Sequence, residues 1–306
     1  MTTKAYILTE VDRLVLLALN RFHYLTAAQL SRLLYPNLND DNRYAQRRLK
    51  QLSDNEYALQ LRALPKPQYG QAPRVYTLAR KGRLYVQGLG TSVEPYFRPS
   101  EEKRTTQNSP FMAHRLATID VMIAAQRLCR DVQNISCPRM LSERELKRTA
   151  IHVDVVRGQE TRRVAVIPDA WFQLRVDGQH AYSIAVELDR GTEDQKIWRE
   201  KIAAYAAWSI GPYQEAFDTD NLTVAIVSPN MERQRQLRQW TQRELALREL
   251  HEYNDLFLFT AKNPHTTPPA EFFLRRAWQL PHTDKPVELI PAPHGQVESG
   301  VIFQTV

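Results

Sequence analysis

Ile167-Pro168-Asp169-Ala170-Trp171 and Val186-Glu187-Leu188-Asp189-Arg190-Gly191-Thr192 put carboxylates where two neighbouring strands, joined by a hairpin, should end. Acids at adjacent strand ends are a common way to hold a hard divalent cation. Mg²⁺ takes one or two carboxylates, keeps several waters and leaves the rest of its shell to a substrate phosphate. On that reading Asp169 and Glu187 are metal ligands, Mg²⁺ or Mn²⁺ is the cofactor, and the chemistry is phosphodiester cleavage. The same acids have a plainer use. Asp169 can end a strand as a turn residue, and Glu187 and Asp189 can cap the following helix, where carboxylates are stabilised anyway.

The elements that must position these acids are legible around them. Residues 164–167 end at Pro168-Asp169, residues 171–176 alternate weakly, Asp177-Gly178 supplies a turn, and residues 181–188 resume a strand. A long helix begins at Thr192 or Glu193 and carries Trp198, Ile202, Tyr205 and Trp208 on one face. Residues 222–227 read as a buried strand, 232–250 as a helix and 256–259 as a last strand. Ahead of them, residues 114–130 have Leu116, Ile119, Ile123, Ala124 and Leu128 at helical spacing, and residues 142–148 form a short charged segment. Helix, three strands, helix, strand, helix, strand describes a mixed α/β sheet.

Charge separates this part of the chain from what precedes it. The net charge of the 306 residues is +7. Residues 1–100 hold 15 Lys and Arg against 7 Asp and Glu, and the remainder holds 26 against 27, so the basic excess is entirely N-terminal. A basic small domain ahead of a neutral larger one points to a polyanion partner, in the first place double-stranded DNA.

The N-terminal pattern fits such a partner. Thr9-Glu10-Val11-Asp12 opens a first helix with an apolar face, Thr26 caps a short second helix that stops at Pro36, and a turn through residues 37–40 leads to a third helix over 41–52. In that third helix Tyr44, Leu49 and Leu52 are expected inward. Arg43, Gln46, Arg47, Arg48, Lys50 and Gln51 are the candidate DNA-binding residues. Arg suits the O6 and N7 acceptors of guanine and Gln suits adenine. Residues 57–64 and 74–78, around a Pro, Gly and Gln loop, outline a hairpin wing with Arg74 at its base. Together these predict a winged helix-turn-helix domain whose third helix enters the major groove.

The fold expected is therefore α+β: a winged-helix domain over residues 1–90, a Gly-, Ser- and Pro-containing linker over 91–110, a mixed α/β domain over 111–262, and a tail over 263–306 of open role. No apolar run approaches the roughly 18 residues that span a bilayer, and the start lacks a secretory signal, so a cytoplasmic protein without membrane contact is expected. Cys129 and Cys137 are expected as free thiols, and the eight scattered His residues carry no metal role.

The order of the second domain resembles the restriction-endonuclease-like, or PD-(D/E)XK, superfamily. A closer resemblance rests on the winged helix in front, His114-Arg115-Leu116-Ala117 opening a helix, Ser142-Glu143 before a charged turn, Ile167-Pro168-Asp169-Ala170, and Glu187-Leu188-Asp189-Arg190-Gly191-Thr192 with Lys201 and Tyr205 on the next helix. Over residues 9–260 these resemble the replication-relaxation family of plasmids and other mobile elements. The resemblance implies a DNA-binding accessory protein of plasmid replication, copy control, relaxation or mobilisation, with replication or mobilisation proteins as further partners.

The alternative it implies is a Mg²⁺-dependent endonuclease. The superfamily commonly has Lys two residues after the second acid, and here that place is Asp189. The catalytic candidates are therefore Asp169, Glu187 and Asp189, with Glu143 from the preceding segment and Lys201 standing in for the missing lysine. A third reading, a transcriptional regulator with a ligand-sensing second domain, lacks a phosphate-cradling Gly loop to support it.

Overall fold

The computed structural model describes residues 6–38, 42–62, 64, 72–93, 110–157 and 160–294. The chain forms two compact units, residues 1–123 and 124–306. The boundary falls inside one helix, Pro110–Asp131, which the sequence reading had put wholly in the second domain. Residues 94–109, most of the expected linker, lie outside the described residues.

In the first unit, α1 (Glu10–Phe22) and α2 (Ala27–Leu34) begin with the same device. Thr9 accepts from the backbone N–H of Asp12 while Asp12 accepts from that of Thr9, and Thr26 and Gln29 repeat the exchange. Each capping box satisfies two backbone donors that a helix start would otherwise leave open. α3 (Arg43–Asp54) starts at Asn42 in the left-handed conformation and buries Ala45, Leu49 and Leu52, as α1 buries Val15, Leu16 and Leu19. Tyr44, expected inward, is half-buried and meets Tyr35 edge-on with ring centroids 4.9 Å apart.

Strands β1 (Leu25–Thr26), β2 (Ala58–Leu61) and β3 (Val75–Leu78) form an antiparallel sheet in the order β1-β3-β2. The loop between β2 and β3, residues 63 and 65–71 of the expected wing, lies outside the described residues. α4 (Arg80–Gly88) closes the unit, and Gly82 is what allows its approach. A Cβ there would sit 2.1 Å from the carbonyl oxygen of Tyr57. The front of α5 (Pro110–Asp131) also belongs here. Gln29 donates to the Leu116 carbonyl at 2.7 Å and to Asp120 at 2.9 Å, and Arg32 pairs with Asp120.

In the second unit, β4 (Ile135–Ser142), β7 (Ala170–Val176) and β8 (His180–Leu188) run antiparallel, and β9 (Thr223–Val227) and β10 (Phe257–Thr260) add parallel to β8. Asp177 and Gly178 both have positive φ at the turn between β7 and β8, where the hairpin was expected. α7 (Gln195–Ser209) links β8 to β9, and α9 (Met231–Leu247) links β9 to β10. Trp198 of α7 donates through its indole to Thr241 of α9 at 3.0 Å, locking the two helices together. Burial of Trp198, Ile202 and Trp208 on the sheet contributes roughly 2–3 kcal/mol each.

Three parts differ from the sequence reading. β4 was not anticipated, because Pro138 breaks the pattern. It is tolerated on this end strand where the register shifts between Ser136 and Arg139. Residues 164–167 do not enter the central sheet. Among the described residues β6 (Glu160–Val166) pairs with β5 (Ile151–Arg157) alone, as a separate two-stranded ribbon. The described part of the expected tail, residues 263–294, carries secondary structure, and residues 295–306 lie outside the described residues. After α10 (Pro269–Leu274), β11 (Trp278–Gln279) and β12 (Pro286–Val287) extend the central sheet beyond β10. Between β4 and β5, α6 (Glu143–Arg148) starts on a capping box of Ser142 and Glu145, and α8 (Pro212–Phe217) follows α7.

Candidate functional site

On β8, Ala185 and Glu187 share one face, as residues two apart on a strand must, and Ala185 packs with Trp198, Ile202 and Tyr205 of α7. Glu187 therefore points into the helix layer. Lys201 and Tyr205, four apart on α7, sit one above the other and meet it there. Lys201 Nζ lies 2.8 Å from Glu187 Oε2, and the Tyr205 hydroxyl donates to Oε1. Lys201 also donates to Glu193 Oε1 at 2.5 Å.

The electrostatics follow from burial. Glu187 is almost without solvent contact, which pushes its carboxyl up to about 7. The Asp169 charge adds to the rise, and Lys201 and Tyr205 oppose it. Burial works to depress Lys201, but the charges of Glu187 and Glu193 hold it above its ordinary value. Tyr205 lies well above the usual tyrosine range, through burial first and the Glu187 charge second.

Asp169 stands one residue before β7 and is fixed by the neighbouring strand. Its N–H donates to the Val186 carbonyl at 3.0 Å, and its Oδ2 accepts from the Leu188 N–H at 2.8 Å. The structure thus brings Lys201 onto Glu187 and sets Asp169 near enough for its charge to act on Glu187. The side chains of Asp189 and Glu143 are engaged with other partners. Asp189 takes both Nε and Nη2 of Arg233, at 2.8 and 3.0 Å, in a buried bidentate pair, and also accepts from the Gly191 N–H. Glu143 pairs with Lys147 one turn along its own helix, although its backbone N–H reaches the Asp169 carbonyl.

Two carboxylates are the right class of donor for Mg²⁺ or Mn²⁺, but the arrangement does not fit a resident ion as it stands. Both oxygens of Glu187 already accept hydrogen bonds, and among the described residues no three His, Cys, Asp or Glu side chains are grouped to hold a metal. A cation would have to displace Lys201. The sequence reading anticipated Lys201 but not the parts played by Tyr205, Glu193 and Arg233. The four-residue spacing from Lys201 to Tyr205 was the available signal for the first. Arg233, 44 positions from Asp189, gave none.

In the first unit the candidate DNA-binding residues divide into two sets. Arg43, Gln46, Arg47 and Lys50 are exposed along α3, with the Arg47 guanidinium 5.3 Å from the Tyr44 ring centroid and Lys50 paired to Asp54. Arg48 turns inward instead. It lies 3.6 Å from the fully buried Asp12 of α1 and donates to the Tyr44 hydroxyl and to Gln51, which is half-buried. Arg74 is exposed and donates to Gln60 on the paired strand.

A replication-relaxation profile matches residues 16–219, which is 204 of the 306 residues. The chain belongs to the replication-relaxation family. No curated protein and no solved structure matches it. The stretch matched to the replication-relaxation family runs from within α1 through α8 and contains α3, Asp169, Glu187, Lys201 and Tyr205. It stops short of Arg233, the partner of Asp189. Among the described residues no helix is long and apolar enough to cross a membrane.

Proposed function

We propose that this replication-relaxation protein is a duplex-DNA-binding accessory factor of plasmid or mobile-element replication, and that its first unit is a winged helix that lays α3 in the major groove. One observation carries the reading. Arg43, Gln46, Arg47 and Lys50 line the exposed side of the third of three short helices, while the opposite side is the core. Cationic side chains there meet phosphates and guanine edges, and Gln46 meets adenine. The test is a titration of the full chain on duplex DNA over a range of salt. Arg47→Ala and Lys50→Ala should each weaken binding and lower the salt slope by about one unit. Unchanged slopes in both variants would move the DNA surface elsewhere.

The second unit, on this proposal, is a nuclease-like fold whose acids close the structure. A second reading, a Mg²⁺- or Mn²⁺-dependent endonuclease, needs a cation to displace Lys201 from Glu187, and what supports it is that Asp169 lies near enough for its charge to raise the Glu187 carboxyl. Incubation of supercoiled DNA with the protein and Mn²⁺ separates the two. Nicking that Asp169→Asn and Glu187→Gln abolish, with duplex binding kept, establishes the endonuclease. The absence of both nicking and calorimetric Mn²⁺ binding leaves the accessory factor.

A further inference from the structure

A cavity of about 410 Å³ opens between the β5-β6 ribbon, the first turns of α7 and the last turn of α9, away from the Lys201-Glu187 contact. In the ribbon, Val155 faces Arg162 directly and Val153 faces Val164, so the ribbon's inner surface presents apolar groups with one guanidinium among them. Opposite stand Lys196 and Arg199 of α7 and Arg248 at the end of α9.

The three acids of this cavity are each engaged. Asp194 caps α7 by accepting from the Ile197 N–H. Glu244, 1% exposed at its side chain, lies between Arg199 and Arg248 and takes the Nε of each. Glu200 faces Arg162 at 3.8 Å. Against them stand four cations. Glu244 takes the Nε of Arg199, and among the described residues the outer guanidinium N–H groups have no acceptor. Lys196 is exposed, with neither an ion pair nor a hydrogen bond among the described residues. A buried carboxylate between two arginines orients them as it neutralises them, much as an outer ligand orients an inner one.

The geometry points to a binding site for a nucleotide: a phosphate held by Lys196, Arg162 and the outer edge of Arg199, and the base and sugar against Val155 and Val164. The volume falls within the range of small-molecule sites, and the lining is mainly charged, with Val155 and Val164 as its apolar part. Arginine and lysine are the residues that recognise phosphate. The nucleotide can be free or can be the phosphorylated end of a DNA strand, since both present the same group to the same cations.

The test uses the full chain in calorimetric titrations with dAMP, with a 5′-phosphorylated single-stranded dinucleotide and with inorganic phosphate. Saturable binding of dAMP supports a free nucleotide. Binding of the dinucleotide alone supports a strand end. In either case the charge-reversing pair Arg162→Glu and Lys196→Glu, both at exposed positions, should weaken binding at least tenfold, and Arg47→Ala on α3 should leave it unchanged. That last contrast keeps this site separate from the duplex surface proposed above. The proposal is overturned if neither nucleotide binds, if inorganic phosphate binds as tightly as dAMP, or if the double variant binds as the natural chain does.

Discussion

Lys201 Nζ lies 2.8 Å from Oε2 of Glu187 across the gap between α7 and β8, and the other oxygen of Glu187 accepts from the Tyr205 hydroxyl. A carboxylate removed from water needs that partner, because an isolated buried charge costs several kcal/mol. The relationship makes each member of the pair depend on the other whether or not it also does chemistry.

Lys201→Met should destabilise the protein by about 3 kcal/mol, since it strands Glu187 with only the Tyr205 hydroxyl and keeps the side-chain volume. Adding Glu187→Gln to that variant should restore part of the loss. Urea unfolding of the two single variants and the double variant gives the coupling. Strictly additive losses would show that the pair does not hold α7 to the sheet.

The pH dependence of stability should carry the mark of Glu187. Its carboxyl is raised from the ordinary 4.5 to about 7 by burial, so the folded state holds the proton more tightly than the unfolded chain. This contribution is fully present below about 4.5 and is lost as the pH rises through about 7. The unfolding free energy should therefore fall across that window, and Glu187→Gln should flatten the fall. A variant with the slope of the natural chain would place the titration elsewhere.

Arg47 and Arg48, adjacent in sequence, should behave in opposite ways. Arg47→Ala should lower DNA affinity with little change in stability, because the side chain is exposed. Arg48→Ala should cost roughly 2–3 kcal/mol of stability, because it removes the cation beside the buried Asp12, while the salt slope of DNA binding in the folded protein stays as it was. Thermal melts alongside duplex titrations distinguish the two.

Arg238 should control the edge of the central sheet. Its guanidinium donates to the Leu280 and Thr283 carbonyls and to the Gln279 and Asp284 side chains, tying the β11-β12 segment to α9. Arg238→Ala should make residues 278–287 a site of limited proteolysis before the rest of the unit is cut. Cleavage elsewhere first would argue that β11 and β12 are held by their strand pairing alone.

Gly82→Ala should destabilise the first unit by about 1–3 kcal/mol, because the added Cβ runs into backbone, the Tyr57 carbonyl 2.1 Å away, which has no rotamer to yield.

Local signals were enough for many of the elements and for choosing the candidate residues. Thr9 and Thr26 marked two helix starts, Asp177-Gly178 marked the hairpin, and helical spacing set Lys201 above Tyr205, because capping, turns and periodicity act over a few residues. Asp169, Glu187 and Lys201 could be chosen from sequence for the same reason, each standing at the end of a strand or on the face of a helix. Which contacts those residues make was decided only in three dimensions. Asp189 and Arg233 are 44 residues apart, Arg48 and Asp12 are 36, and the choice between Asp189 beside Glu187 and Asp189 beside Arg233 depends on where α9 packs. The ribbon of β5 and β6 shows the same limit. β6 was partly visible as Val164 and Val166 and β5 was not read, and membership of the central sheet is a question of which backbone groups find partners, a place the tertiary fold gave to β4.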